Sequence, residues 1–476
     1  MNLIDEFKKG VLYSAIGKYS NVIVQLLVQA ILSRLLTPKE YGVVAVVNVF
    51  LVFFQMLADF GIGPAIIQNK KLTKKEINSI FVFSCYLAVV LGLVFMSLGY
   101  PISLFYSDAI YIPISLVLGV CVFFYGILVV PQNMLLREKN FMAVNIVTVI
   151  ANVLSGIISI VLAMAGFSYY SLIISNTIKA AFLFFVFYFK TKLKVSFKLD
   201  LGPIKKIFSF SKNQFIFNFI NYFSGNLDKI LIGRYFSTSS LAYYDKSYQL
   251  SLYPNQILTN VIYPVIQPIM SDYETKMDKI KNVYLLLTRF LGTIGLSLSI
   301  FLFFSAKEII LFLFGGQWDG SIATFQILAF SVWIQLILTI TGAIFQSANR
   351  TDLLLVSGVL TAVTNITAMV VGISTGKIEY VALLLVFAFT INFLQTNYLL
   401  MYKMFESNYA EFFKILFKPA LMAASQAIIF LLLPTLPFSN FINLVIKGMI
   451  FVFVFGIGLI LTGEMKVIKE MIAKRK

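Results

Sequence analysis

The residues able to do chemistry in this chain are few, and most are charges placed where charge is costly. Lys18, Asp59, Lys179, Asp228, Lys229, Arg289 and Lys447 lie inside long apolar runs, and Arg34, Arg234, Asp245 and Lys246 lie at the ends of such runs. Ionisable groups in segments of membrane length mark cavities, transport paths or paired partners. Other chemistries are missing. With no histidine, imidazole triads, zinc ligands and proton relays are excluded. Cys85 and Cys121 each sit alone in an apolar run and read as small buried hydrophobes, with no redox motif. No Asp-x-Asp pair occurs. What remains is chemistry by charge: cations that can hold an anion, and carboxylates that can carry a proton or pair with a lysine.

The elements positioning these groups follow from composition. The 476 residues are 59% hydrophobic and 12% charged, against about half and a quarter in soluble domains. Asn78 to Ser107, Ala109 to Leu136, Gly320 to Asn349, Leu353 to Gly376 and Tyr380 to Tyr402 carry no charge at all. Each exceeds the roughly 20 apolar residues that span a bilayer. The pattern predicts an all-α polytopic membrane protein with about 14 transmembrane helices, near 13–35, 41–66, 78–99, 111–135, 142–165, 169–189, 213–235, 242–270, 282–306, 321–345, 353–373, 379–401, 419–436 and 441–463. Twelve is the competing count, if Gly166-Phe167-Ser168 or Pro434 to Pro437 kinks a helix instead of ending it. The organisation expected is an N-terminal six-helix bundle (1–189), a basic linker (190–212), a second six-helix bundle (213–402), and two extra helices with a basic tail (403–476). The first apolar stretch has spanning length and no small-residue cleavage site, so no cleavable signal peptide is expected.

Charge orients the spans. With the N-terminus inside, the outer connections hold only Lys39, Lys307 and Lys377, whereas the segment from Lys190 to Lys212 alone holds seven lysines. This positive-inside bias puts both termini of a multi-pass membrane protein in the cytoplasm. It also accounts for the excess of 38 basic over 21 acidic residues without a nucleic-acid partner. Loop and tail lysines read as orientation signals beside anionic membrane lipids. The longest outer connection runs only from about Ala306 to Gly320, too short for an external catalytic domain. A polytopic polysaccharide polymerase or ligase is therefore disfavoured.

Shifting the chain by 200 residues places Asn21 on Asn221, Arg34 on Arg234, Gln55 on Asn255 and Pro64 on Pro264. Six helices separate the copies, an even number, which predicts two parallel pseudo-symmetric bundles related by an axis along the membrane normal. On the first helix Ser14, Lys18, Asn21, Gln25, Gln29 and Ser33 recur at spacings of three and four. Gln214, Asn218, Asn221, Gly225 and Asp228 do the same on the seventh. Either the stripes line a water-filled cavity, or they are hydrogen-bonded seams between helices.

Lys18, Arg34, Lys179, Lys229, Arg234, Lys246 and Arg289 outnumber Asp59, Asp228 and Asp245. A low-dielectric interior with surplus cations favours an anion such as a phosphate, diphosphate or uronic acid. Lys179 stands near the middle of an otherwise apolar helix, too deep to snorkel easily, and is either a cargo ligand or a structural partner of Asp59 or Asp228. Without histidine, a proton-linked cycle needs a carboxylate, and Asp59 and Asp228 are the candidates.

Several stretches have a family look. Leu32-Ser33-Arg34-Leu35-Leu36-Thr37-Pro38-Lys39-Glu40-Tyr41-Gly42, then Leu57-Ala58-Asp59-Phe60-Gly61-Ile62-Gly63-Pro64-Ala65-Ile66-Ile67-Gln68, resemble the opening of Wzx-type polysaccharide flippases. Asn226-Leu227-Asp228-Lys229-Ile230-Leu231-Ile232-Gly233-Arg234, with Tyr253-Pro254 and Tyr263-Pro264, is similar to that family's seventh and eighth helices, and Leu313-Phe314-Gly315-Gly316-Gln317-Trp318 to its outer turn. The pattern resembles that of the colanic-acid and teichuronic-acid exporter branch, in a superfamily shared with multidrug exporters and lipid II flippases. The resemblance implies fourteen helices, a V-shaped cavity between two six-helix lobes, and transport of undecaprenyl-diphosphate-linked oligosaccharide for capsule or exopolysaccharide. Polysaccharide polymerase and assembly proteins are the implied partners. No cofactor is expected, with a proton or sodium gradient as the coupling source. Ala242 replaces the Gly42 of the first copy and Thr259 replaces Asp59, so a coupling carboxylate on the second helix is not duplicated.

An exporter of small drugs or metabolites is the competing reading, which the cationic interior opposes. Lipid II is the competing cargo. The topology is checked by a cysteine at Ser196, which should resist membrane-impermeant thiol reagents in intact cells. Labelling from outside contradicts it.

Overall fold

The computed structural model describes residues 3–194, 200–271, 276–434 and 437–466. Within them, the side chains of 3–16, 209–210, 213–214, 216–217, 220–221, 223–224 and 259–271 are not described. The chain divides into two compact units, Met1–Ala242 and Tyr243–Lys476.

The first unit contains α1 (Leu3–Leu35), α2 (Pro38–Asp59), α3 (Ile62–Gln68), α4 (Lys74–Ser97), α5 (Gly99–Tyr106), α6 (Tyr111–Arg137), α7 (Phe141–Met164), α8 (Tyr170–Thr191) and α9 (Gly202–Tyr235), and α10 (Thr238–Ser271) begins in it. Starts are written in cap chemistry. Thr37 and Glu40 form a reciprocal capping box at α2, Thr73 and Glu76 another at α4, and Asn140 caps α7 through Ala143 N–H at 3.2 Å. Each satisfies amides that the first helical turn leaves without partners. The expected second span is two helices, because the chain turns left-handed at Phe60 (φ 40°) and Gly61 (φ 71°). α6 is the hub of this unit, touching α2, α3, α4, α5 and α8. Gly119 and Gly126 let α4 approach it through Gly92 and Ala88, the small-residue packing that holds helices together in lipid. α9 lies along α2 and α3. Tyr222 donates to the Val49 carbonyl, Phe53 meets Phe219 at 5.9 Å, and Phe60 meets Phe215 at 4.9 Å. Gly42 presses on the Thr238 backbone so closely that a Cβ would overlap its carbonyl.

The second unit contains α11 (Met277–Phe304), α12 (Ala306–Phe314), α13 (Ser321–Ala329), α14 (Val332–Ser347), α15 (Thr351–Ser374), α16 (Ile378–Tyr398), α17 (Tyr409–Leu432) and α18 (Asn440–Thr462). Its core joins Tyr284 and Leu291 of α11 to Ile337 and Ile344 of α14, Phe393 of α16 and Phe412 of α17. The expected outer loop Ala306–Gly320 is instead α12 and a short 3-10 turn, Gly316–Trp318. Buried Lys246 lies 5.1 Å from the Phe314 ring centroid and 5.6 Å from that of Trp318. α15 and α16 join through a polar ladder in which Ser357 meets Thr396 at 2.8 Å and Asn392 donates to Asn365 at 3.0 Å.

Among the described residues, ten helices are long and apolar enough to cross a membrane, and the bent pair α13 and α14 (52°) makes an eleventh. α1, α9 and α10 are also of spanning length at 33, 34 and 34 residues, but more polar. Including them is consistent with the fourteen expected.

α18 shows how this protein places charge in an apolar setting. Its spanning window is only 6% buried, yet two ion pairs hold it. Lys447 Nζ meets Glu308 Oε1 at 2.6 Å and donates to the Phe304 carbonyl at 2.8 Å. Just past its end, Glu464 is fully buried and takes Arg289 in a bidentate pair at 2.7 and 2.9 Å. Removing one member of a buried pair strands the other charge. Glu464→Ala should therefore destabilise the protein by about 1–3 kcal/mol, tempered because Arg289 is partly exposed. The check is thermal unfolding in detergent, where an unchanged melting temperature contradicts it.

Candidate functional site

The first unit holds a half-open cavity of about 380 Å³ lined by Gln55, Asp59, Tyr125, Leu128, Val129, Gln132, Asn133, Thr148, Lys179 and Leu183. Four helices build it. α2 contributes Gln55 and Asp59 on successive turns, and α6 contributes a face at spacings of three and four from Tyr125 to Asn133. α7 adds Thr148, and α8 adds Lys179 and Leu183 on successive turns.

The break after α2 sets the carboxylate. Asp59 Oδ1 accepts the Gly63 N–H at 3.1 Å, so the backbone at the helix break itself offsets part of its charge. Gly63 leaves room for the two polar side chains beside it. A Cβ there would stand 2.6 Å from Asn133 Nδ2 and 2.7 Å from Asp59 Oδ1. Asn133 donates to the Val129 carbonyl at 2.8 Å, Tyr125 donates to Asn176 Oδ1 at 2.8 Å, and Thr148 donates to the Val144 carbonyl at 2.7 Å. Lys179 differs. Among the described residues its ammonium makes no hydrogen bond or ion pair, although Asp59 lines the same cavity. A half-buried cation in this position calls for an anion or water.

Sequence reasoning singled out Lys179 and Asp59, and the fold brings them together. Gln55 was noticed only through the internal repeat. Tyr125, Gln132, Asn133 and Thr148 were missed, although the helical spacing of the polar residues on α6 was a usable signal. The other candidates stand outside the lining. Lys18, Arg34 and Arg234 are exposed, and the Arg234 guanidinium lies 5.4 Å from the Phe105 ring centroid. Asp228 is buried and accepts the Lys229 N–H at 2.8 Å, and Lys229 is half-buried. Arg289 belongs to the second unit, engaged by Glu464. On the polar stripes, Asn21 accepts from Asn152 Nδ2 at 2.7 Å, an interhelical bond between α1 and α7. Gln25 is exposed, Gln29 and Asn218 are half-buried, and the Asn221 side chain lies outside the described residues. No group of three or more Cys, Asp or Glu able to hold a metal ion occurs among the described residues.

Comparison with known proteins decides the family. Residues 31–323 match the family model described as "Polysaccharide biosynthesis protein". The chain belongs to that family. This family member is 25% identical over 438 residues to the teichuronic acid biosynthesis protein TuaB of Bacillus subtilis (strain 168), covering 90% of the chain and 89% of the relative. It is 22% identical over 464 residues to the lipopolysaccharide biosynthesis protein WzxC of Escherichia coli (strain K12), covering 94% and 90%. Among solved structures, the lipid II flippase MurJ in an inward closed conformation superposes with a TM-score of 0.76 at 14% identity, covering 96% of this chain and 99% of MurJ. A multidrug resistance MATE family transporter in an inward-facing conformation superposes with a TM-score of 0.58 at 16% identity, covering 81% and 98%. The chain is thus a multi-pass helical membrane protein with the fold of flippases and multidrug transporters.

Proposed function

We propose that this protein flips undecaprenyl-diphosphate-linked oligosaccharide repeat units from the cytoplasmic to the outer leaflet of a bacterial plasma membrane, by alternating access and without covalent chemistry. The observation that carries the reading is the interior cavity in which Lys179 meets no counter-ion among the described residues. Such a charge costs stability and is kept where a ligand needs it. The relatives' names, which concern teichuronic acid and lipopolysaccharide, point to a glycan as cargo. The wall of amides and hydroxyls around Lys179 suits a hydroxylated cargo better than an apolar drug. On this reading both termini face the cytoplasm, which the lysine-rich inner segments support. Lys18, Arg34, Arg234 and Lys229 are further candidate cations. Arg289 serves the fold first, through Glu464.

Asp59 is the coupling candidate, since it lines the cavity and is held by the Gly63 and Gly61 backbone amides rather than by a lysine. Asp228 is its alternative. A proton or sodium gradient would act through one of them.

Export is the test. Lys179→Ala should lose most polysaccharide export at unchanged protein level, whereas Lys179→Arg should keep part of it. Losing one charged contact corresponds to about 1.5–3 kcal/mol, a roughly ten- to hundredfold loss in apparent affinity. Wild-type export by Lys179→Ala refutes the cargo role. The pH profile of export, measured in parallel on Asp59→Asn and Asp228→Asn, should flatten in one of them, and two unchanged profiles remove both from coupling.

A further inference from the structure

The lining sorts its hydrogen-bonding groups unevenly. The Tyr125 and Thr148 hydroxyls donate their protons to Asn176 and the Val144 carbonyl, so their oxygens are left as acceptors. Asp59 is an acceptor when ionised, with Oδ1 already receiving the Gly63 amide. Gln55 and Gln132 add amides, and Lys179 alone adds a positive charge. At about 380 Å³ the space falls within the ligand-pocket range of about 300–1,000 Å³, room for a monosaccharide ring and a few waters.

A diphosphate fits this lining badly. It carries several negative charges and no donors, and it would face one cation, a carboxylate and two hydroxyl oxygens that have given up their protons, with only side-chain amides such as Gln55 and Gln132 as further donors. A sugar bearing one carboxylate fits it well. One negative charge answers one ammonium, and ring hydroxyls donate to oxygens that have already given up their own protons. We propose that this cavity is a glycan subsite for one acidic monosaccharide, its carboxylate on Lys179 and its hydroxyls donating to Tyr125, Thr148 and Asp59, while the lipid diphosphate binds elsewhere. The assignment rests on the lipid-linked glycan reading above and names which part of that cargo Lys179 receives.

The test uses the full chain in lipid nanodiscs, with methyl glucuronide, methyl glucoside and inorganic pyrophosphate as probes in saturation-transfer NMR titrations. The glucuronide should bind about ten- to hundredfold tighter than the glucoside. Lys179→Gln should erase that preference and Lys179→Arg should keep it. Pyrophosphate should neither compete with the glucuronide nor respond to Lys179→Gln. Melting temperatures of both variants establish that they are folded. Pyrophosphate displacing the glucuronide, with an affinity that depends on Lys179, makes this a diphosphate site and overturns the proposal. So does the absence of saturable glucuronide binding to a wild-type protein that exports polysaccharide. Export measured in cells separates the two levels. Lys179-dependent export with pyrophosphate as the Lys179 ligand leaves the flippase reading standing and removes the sugar subsite. A wild-type chain that supports no export removes the flippase reading itself.

Discussion

A charge inside an apolar helical bundle must be answered by an opposite charge, by water or by a ligand, and the architecture follows from how each charge is answered. Burying an ion without a partner costs far more than any single apolar contact returns. Lys447 is answered by Glu308 and a helix-end carbonyl, Arg289 by the two oxygens of Glu464, and Lys246 in part by the faces of Phe314 and Trp318. Those cations tie α10, α12 and α18 into the second unit. Lys179 is answered by a cavity.

That cavity exists because α2 does not run on into α3. Had the helix continued through Phe60 and Gly61, the Gly63 amide would bond within the helix and Asp59 would lose its backbone partner. The left-handed turn at these two residues places the carboxylate at the break. Gly63 keeps the crossing with α6 close enough for Asn133 and Asp59 to share one wall. Glycines at 119 and 126 bring α4 against another part of α6. Small residues set the helix separations, and polar side chains from α2, α6, α7 and α8 then converge on Lys179. The two acceptor hydroxyls arise differently, Thr148 by donating to the carbonyl one turn back in its own helix and Tyr125 by donating across to Asn176 of α8.

Much of the fold was legible because hydropathy and length are strong signals. The helix expected from residue 111 begins at Tyr111, and the one expected at 441–463 is observed at Asn440–Thr462. Errors fell where short-range chemistry outweighs hydropathy. α4 starts at Lys74, well before its apolar run, because Thr73 and Glu76 cap it. α9 starts at Gly202 inside the expected basic linker, where Pro203 opens a helix whose first turns are too polar to register as a span. α5 and α12 are eight and nine residues long, too short to register as elements of a membrane protein. In the site, Lys179 stood out as an anomaly in an apolar helix, and so did Asp59. The sequence offered Asp59 or Asp228 as a neighbour of Lys179, and the choice between them was not readable, since it depends on how α2 and α8 meet around α6. The pairing of Arg289 with Glu464 was hidden for the same reason, with 175 residues between the partners.

The central claim is that Lys179 is kept for a ligand at the expense of the fold. Replacing it with methionine keeps the side-chain length and removes the charge, so function and stability should move in opposite directions. The most direct measurement is the thermal unfolding of Lys179→Met in lipid nanodiscs, read beside polysaccharide export by the same variant. The account predicts a melting temperature equal to or above that of the wild type, with export largely lost. A lowered melting temperature with export retained would contradict it and make Lys179 a structural residue.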